Sequence, residues 1–120
     1  MFILPDHKRG LMLFNPGIIG SLELPNRLVR SATAESMADE EGVPQPPLEE
    51  LYRTLVKGGV GLIITGHMYI APGGKCHPEM TGIDDDRLIP ALKKLTDAVH
   101  EEGGKIVVQI NHGGAQCSEE

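Results

Sequence analysis

The chain has 120 residues, a formal net charge of −6, few aromatics and no Trp. That length fits one modest domain able to bury a core without disulfides or metals, and the core must be aliphatic, which suits a parallel sheet covered by helices better than a sandwich. There is no basic stripe for nucleic acid, no stretch near membrane-span length and no signal-peptide pattern over residues 1–10, so a soluble cytoplasmic protein is expected, with Cys76 and Cys117 as free thiols far apart in sequence.

Residues 1–12 carry no clear period and are expected to form an arm ahead of the structured part, 13–120. Over 13–26, short apolar pieces alternate with turn residues, which predicts a small β-hairpin. Residues 27–33 follow as a short strand, and the acidic, Gly/Pro-containing stretch 34–46 as a loop. Pro46 and Pro47 stand where a helix can start. Leu48, Leu51, Tyr52, Leu55 and Val56 follow at helical spacing, and Gly58-Gly59 stop the run. Residues 60–65 are nearly all apolar and predict a strand buried on both faces. The stretch 66–83 is expected to be a long loop, of a length that is usually functional. Asp84, Asp85 and Asp86 supply caps for a second helix whose buried stripe is Leu88, Ile89, Leu92, Leu95 and Val99. Gly103-Gly104 end it, and residues 105–110 form another buried strand. The order is a βαβαβ unit with a parallel sheet, which begins either an open doubly wound sheet or a closed barrel.

In both architectures ligands bind outside the carboxyl ends of the strands. The sequence is apolar up to each of those ends and then abruptly hydrogen-bonding. Ser31 to Glu35 follow the first strand, Thr65, Gly66, His67 and Tyr69 the second, and Gln109, Asn111 and His112 the third. The pattern suits a neutral, planar, heteroatom-rich ligand. No G-x-G-x-x-G or Walker A motif is present, which argues against a dinucleotide-binding open sheet or a P-loop.

Leu13–Pro16, Ile19-Gly20, the run Leu24-Pro25-Asn26-Arg27-Leu28-Val29, the segment 59–66 and the segment 108–114 resemble, in order and spacing, the opening of the old yellow enzyme group of NADH:flavin oxidoreductases. The resemblance covers nearly the whole chain from Leu13. It implies an α/β fold, a partial TIM (β/α)₈ barrel in which an N-terminal β-hairpin closes the barrel bottom and about three β/α units follow. It implies FMN at the carboxyl ends of the strands, NAD(P)H as co-substrate, and hydride transfer to an electron-poor alkene or similar small-molecule substrate. By position, the FMN contacts fall on Ala32, Thr33, Ala34, Gly66, His67 and Gln109, with His112 at the mouth towards substrate. Gln109 would hydrogen-bond the pyrimidine end of the ring, which needs both a donor and an acceptor. Ala34 departs from the family pattern, because it offers no side-chain donor to the flavin edge; Thr33 or a backbone N–H would have to serve.

Plainer roles stand beside these. Gln109 fits a satisfied core amide, and Thr33 fits a residue that ends a strand by bonding local backbone. Glu35 and residues 39–41 fit a solvated loop, and His77 a surface or mouth-lining position. His67 and His112 with Cys76, His77 or Cys117 match no standard zinc spacing, so no metal site is expected. A barrel of this type needs about 250 residues. The resemblance implies that the residues giving the flavin a proton donor and a phosphate site are expected outside these 120. This stretch alone is therefore expected to turn over poorly and to need a second chain or a homo-oligomer to cover its open edge. Three readings follow: an N-terminal fragment of such an enzyme, one chain of a split barrel, and a non-catalytic remnant or interaction module.

Overall fold

The computed structural model describes residues 12–117; the expected arm falls outside them but for its last residue. Strands β1 (Gly17–Ile19) and β2 (Leu22–Leu24) pair antiparallel, with Ile19 opposite Leu22. Gly20 opens their two-residue turn at a φ of 60°, a left-handed conformation that glycine adopts without steric cost. Next come β3 (Val29–Arg30), helix α1 (Pro46–Lys57), β4 (Leu62–Tyr69), helix α2 (Ile89–Glu101) and β5 (Ile106–Asn111). The last three strands make one parallel sheet in the order β3-β4-β5. The expected βαβαβ order is therefore present, with the hairpin ahead of it.

The core lies between the sheet and the helices. Leu48 and Tyr52 of α1, Leu95 and Val99 of α2, and Ile63 and Met68 of β4 form one buried cluster. Full burial of each such side chain contributes on the order of 1.5–3 kcal/mol. Asn26 ties the hairpin to the amino end of the sheet. Its Nδ2 donates to the Gly59 carbonyl at 2.7 Å, and its Oδ1 accepts from the Leu28 N–H at 2.9 Å.

Five expectations are corrected. The first parallel strand pairs over only two residues, because the Asn26 turn precedes it and residues 31–37 leave the sheet at once. The second does not end at Thr65. It runs to Tyr69, so Gly66 and His67 stand on a strand and the loop begins after Tyr69. Among the three aspartates, Asp85 is the cap: its side chain accepts the Arg87 N–H, and it caps a short 3₁₀ turn, Asp86–Leu88, which feeds α2. The third strand is not buried. Val107 and Val108 are each 39% exposed and Ile110 is 64% exposed, because β5 is an edge strand among the described residues. Ile89, expected in the buried stripe, is likewise open on the helix side. No described helix is long and apolar enough to cross a membrane.

Candidate functional site

The register of β4 against β5 shifts once. Ile64 faces Val107, and His67 faces Gln109, so Thr65 and Gly66 together oppose Val108. Side chains alternate along a strand, so residues three apart, such as 64 and 67, ordinarily point to opposite faces. A bulge that inserts one extra residue cancels that alternation. Val107 and Gln109 are two apart on a regular strand and share a face. Their partners Ile64 and His67 therefore share it too. The opposite face carries Ile63, Met68 and Ile106, which pack towards the helices. The bulge thus turns His67 onto the face of Gln109, away from the core, at the carboxyl end of the sheet.

The bulge is held by named bonds. The buried Thr65 hydroxyl donates to the Gly66 carbonyl at 2.8 Å and accepts the Gln109 N–H at 3.1 Å. It fills the gap that the extra residue opens in the ladder. Gly66 is needed as glycine: a Cβ there would collide with the Glu35 carboxylate and the Thr33 carbonyl oxygen.

Glu35 is not part of a solvated loop. Its side chain is 8% exposed. One carboxylate oxygen accepts from Arg30 at 2.8 Å, the Tyr52 hydroxyl at 2.9 Å and the Gly66 N–H at 3.3 Å. These bonds lock the segment after β3 against the bulge within β4. Burial, then the Glu35 charge and its hydrogen bond, push the Tyr52 phenol well above its ordinary range. The hydroxyl is held as a donor.

The structure brings Thr33, Gly66, His67 and Gln109 together. Ala34 and His67 line one small cavity with Glu35 and His77, and Ala32 is half-buried just ahead of Thr33. The Thr33 hydroxyl donates to the Ser31 carbonyl at 3.2 Å, the local bond of a strand-ending threonine. Gln109 is exposed on β5, an edge strand among the described residues, and its side chain has no partner there. His112 lines a different groove, of about 970 Å³, with Lys75, Cys76, His77 and Cys117. There Gly74 leaves room for its ring, since a Cβ at 74 would come within 2.6 Å of it. His77 faces His67, Nε2 to Nε2 at 3.2 Å, so one imidazole donates and the other accepts. Sequence reasoning placed Thr65 and Glu35 among the polar residues after the strands but missed the bonds that each makes, and it missed the His67–His77 contact. The only sequence signal for the bulge was a Thr-Gly pair directly after an apolar run.

A family model for NADH:flavin oxidoreductases and NADH oxidases matches residues 12–120. The chain belongs to the NADH:flavin oxidoreductase / NADH oxidase family. A 4,4'-dithiodibutanoate disulfide reductase of Rhodococcus erythropolis is 35% identical over 102 residues, which cover 85% of this chain and 25% of that protein. An NADH oxidase of Thermoanaerobacter brockii is 38% identical over 107 residues, covering 88% of this chain and 16% of that protein. The solved structure of Old Yellow Enzyme from a Pichia species superposes with a TM-score of 0.83 at 29% identity, over 88% of this chain and 28% of the other. The chain therefore spans about a quarter or less of the length of the curated relatives named here. The likeness also decides between the two architectures left open by the sequence, because this family's fold is the (β/α)₈ barrel and the chain is a region of it. FMN and a reduced nicotinamide nucleotide are the cofactor and reductant of the family.

Proposed function

We propose that this chain supplies one wall of the FMN site in an NAD(P)H-dependent oxidoreductase barrel working in the cytoplasm. The observation that carries the reading is the bulge, which sets His67 and Gln109 side by side on one face at the carboxyl end of the sheet. The residues there fit a flat heteroaromatic ring. Gly66 presents no side chain. The exposed Gln109 amide carries both a donor and an acceptor and has no partner of its own among the described residues, so it can meet the pyrimidine end of the ring. The N–H groups of Thr33 and Ala34 donate to nothing among the described residues, and they replace the side-chain donor that Ala34 lacks. The Thr33 hydroxyl gives its proton to Ser31, so its share in cofactor binding is an accepting lone pair or the backbone. Ala32 spaces this segment from β3, and His112 stands at the mouth, towards a small-molecule substrate.

Bound FMN, reduced by NAD(P)H, supplies the hydride for an electron-poor alkene or similar acceptor. The chain's own part is to position the ring and to exclude water from its edge. Glu35 and Thr65 do this indirectly, by fixing the segment after β3 and the bulge of β4.

The open side of β5 calls for the rest of a barrel, from a continuing or a second polypeptide. Val107 lies on the inner face, and Val108, Ile110 and Ile89 form an apolar surface on the outer face, where a further strand and helix would pack. Activity is tested by combining the chain with a polypeptide carrying the remaining strands of a family barrel and following NADH oxidation with an activated alkene. Turnover that needs both polypeptides and FMN is expected. Full FMN-independent alkene reduction, or none with flavin bound, would remove the enzymatic reading.

A further inference from the structure

Cys76 and Cys117 are 41 positions apart in the chain, yet their sulfurs lie 3.4 Å from each other. We propose that they form a reversible dithiol/disulfide site, which clips the loop after β4 to the turn after β5 when a low-molecular-weight disulfide oxidises it.

The surroundings are shaped for two sulfurs. A Cβ at Gly113 would overlap both of them, so the position must lack a side chain for the pair to meet. The two backbones are already joined without the thiols, because the Gly113 N–H donates to the Gly74 carbonyl at 3.1 Å. The Cys76 N–H donates to the Met80 sulfur at 3.3 Å, and its thiol also reaches the Gly74 carbonyl at 3.6 Å. Cys117 closes a 3₁₀ turn, Gly114–Gln116. A disulfide bond is about 2.05 Å long, so the sulfurs need to approach by little more than about an ångström. Both cysteines are half-buried and line the 970 Å³ groove, which gives a small reagent access to them. The bond to Cys117, followed by burial, holds the Cys76 thiol protonated above its ordinary range. Both cysteines are free thiols in this structure.

The chemistry is ordinary exchange. One cysteine, as thiolate, attacks a sulfur of the small disulfide. That S–S bond breaks, and half of the reagent leaves as a thiolate. The second cysteine, as thiolate, attacks the protein sulfur of the mixed disulfide and expels the other half. Two protein thiols lose two electrons and two protons; the small disulfide gains both and becomes two thiols. The new bond closes a ring through residues 76–117 and fixes the segments that carry Gly74 and His112 at the strand mouths.

The test uses the full chain and oxidised glutathione in excess. The expected intact mass is lower by two hydrogens. Trypsin should release peptide 76–87 joined to the peptide that starts at residue 106, and dithiothreitol should separate them. Cys117→Ser should stop with one glutathione on Cys76, and Cys76→Ser with one on Cys117. In glutathione redox buffers, the effective concentration of the pair in the folded chain should exceed that in the guanidinium-unfolded chain by about tenfold or more, since folding alone holds the thiols together. Two glutathiones bound with no linked peptide, two unreacted thiols, or equal values for folded and unfolded chain would each overturn the proposal.

Discussion

The Thr65 hydroxyl takes the place of a backbone partner for Gln109, accepting its N–H at 3.1 Å across the bulge. Thr65→Val keeps the shape and deletes that acceptor. Loss of a part-buried hydrogen bond costs about 0.5–1.5 kcal/mol. Urea unfolding should show a loss of that size with an unchanged m-value, and the paired His67 and Gln109 should bind a ring less well. A variant as stable as the parent would mean that the bulge does not depend on this hydroxyl.

Glu35 joins three donors from three segments, so its replacement separates charge from shape. Glu35→Ala leaves Arg30 without its carboxylate, and breaking a buried pair in this way costs about 3–5 kcal/mol. Glu35→Gln keeps an acceptor for Tyr52 and should lose clearly less. Equal losses in the two variants, measured by chemical denaturation, would argue against a hydrogen-bonded hub.

Both tyrosines of the chain are shifted in the same direction. Burial, then the Glu35 charge, raises Tyr52; burial, then the Asp84 charge, raises Tyr69. A raised folded-state value means that the fold favours the neutral phenol. This contribution is complete below the unfolded phenol's value of about 10 and is lost as pH climbs past it towards the folded values. An alkaline absorbance titration of the native chain should show neither hydroxyl ionising with the midpoint of a free phenol. Tyr52→Phe should lose less stability than the parent above that pH. One ordinary midpoint would show that one of these rings is solvated.

The sequence carried the periodic elements well. Pro46 and Pro47 opened α1, Gly58-Gly59 closed it, and the Leu and Val stripes of both helices found the core at Leu48, Leu95 and Val99. The bulge was hidden, because Thr65-Gly66 reads locally as the start of a loop; it takes the neighbouring strand to show that the ladder resumes at His67. Glu35 reads as a loop acid for the same kind of reason, since its donors come from positions 30, 52 and 66. Strand β5 reads as buried because its composition belongs to a complete barrel, whereas among the described residues it is an edge. Of the candidate site, the polar residues were legible in the sequence, but neither the strand that carries Gly66 and His67 nor the contacts that orient them were.

The exposed face of β5 should make the chain associate with itself. Ile110→Lys places a charge on that edge, a substitution that natural edge strands use against such pairing. Sedimentation velocity over a range of concentrations should show larger species for the parent and fewer for the variant. A strictly monomeric parent would show that this surface is not waiting for a partner.

The most direct test of the flavin wall is an FMN titration followed by quenching of flavin fluorescence, with the chain combined with the remaining barrel strands. Binding is expected, and Gln109→Ala should raise Kd about tenfold, the equivalent of about 1.4 kcal/mol for one hydrogen-bonding group. Its unfolding free energy should stay within about 0.5 kcal/mol of the parent, because the side chain is exposed and makes no bond to the described protein. Unchanged FMN affinity in a stably folded Gln109→Ala protein would contradict the placement of the ring on the His67–Gln109 face.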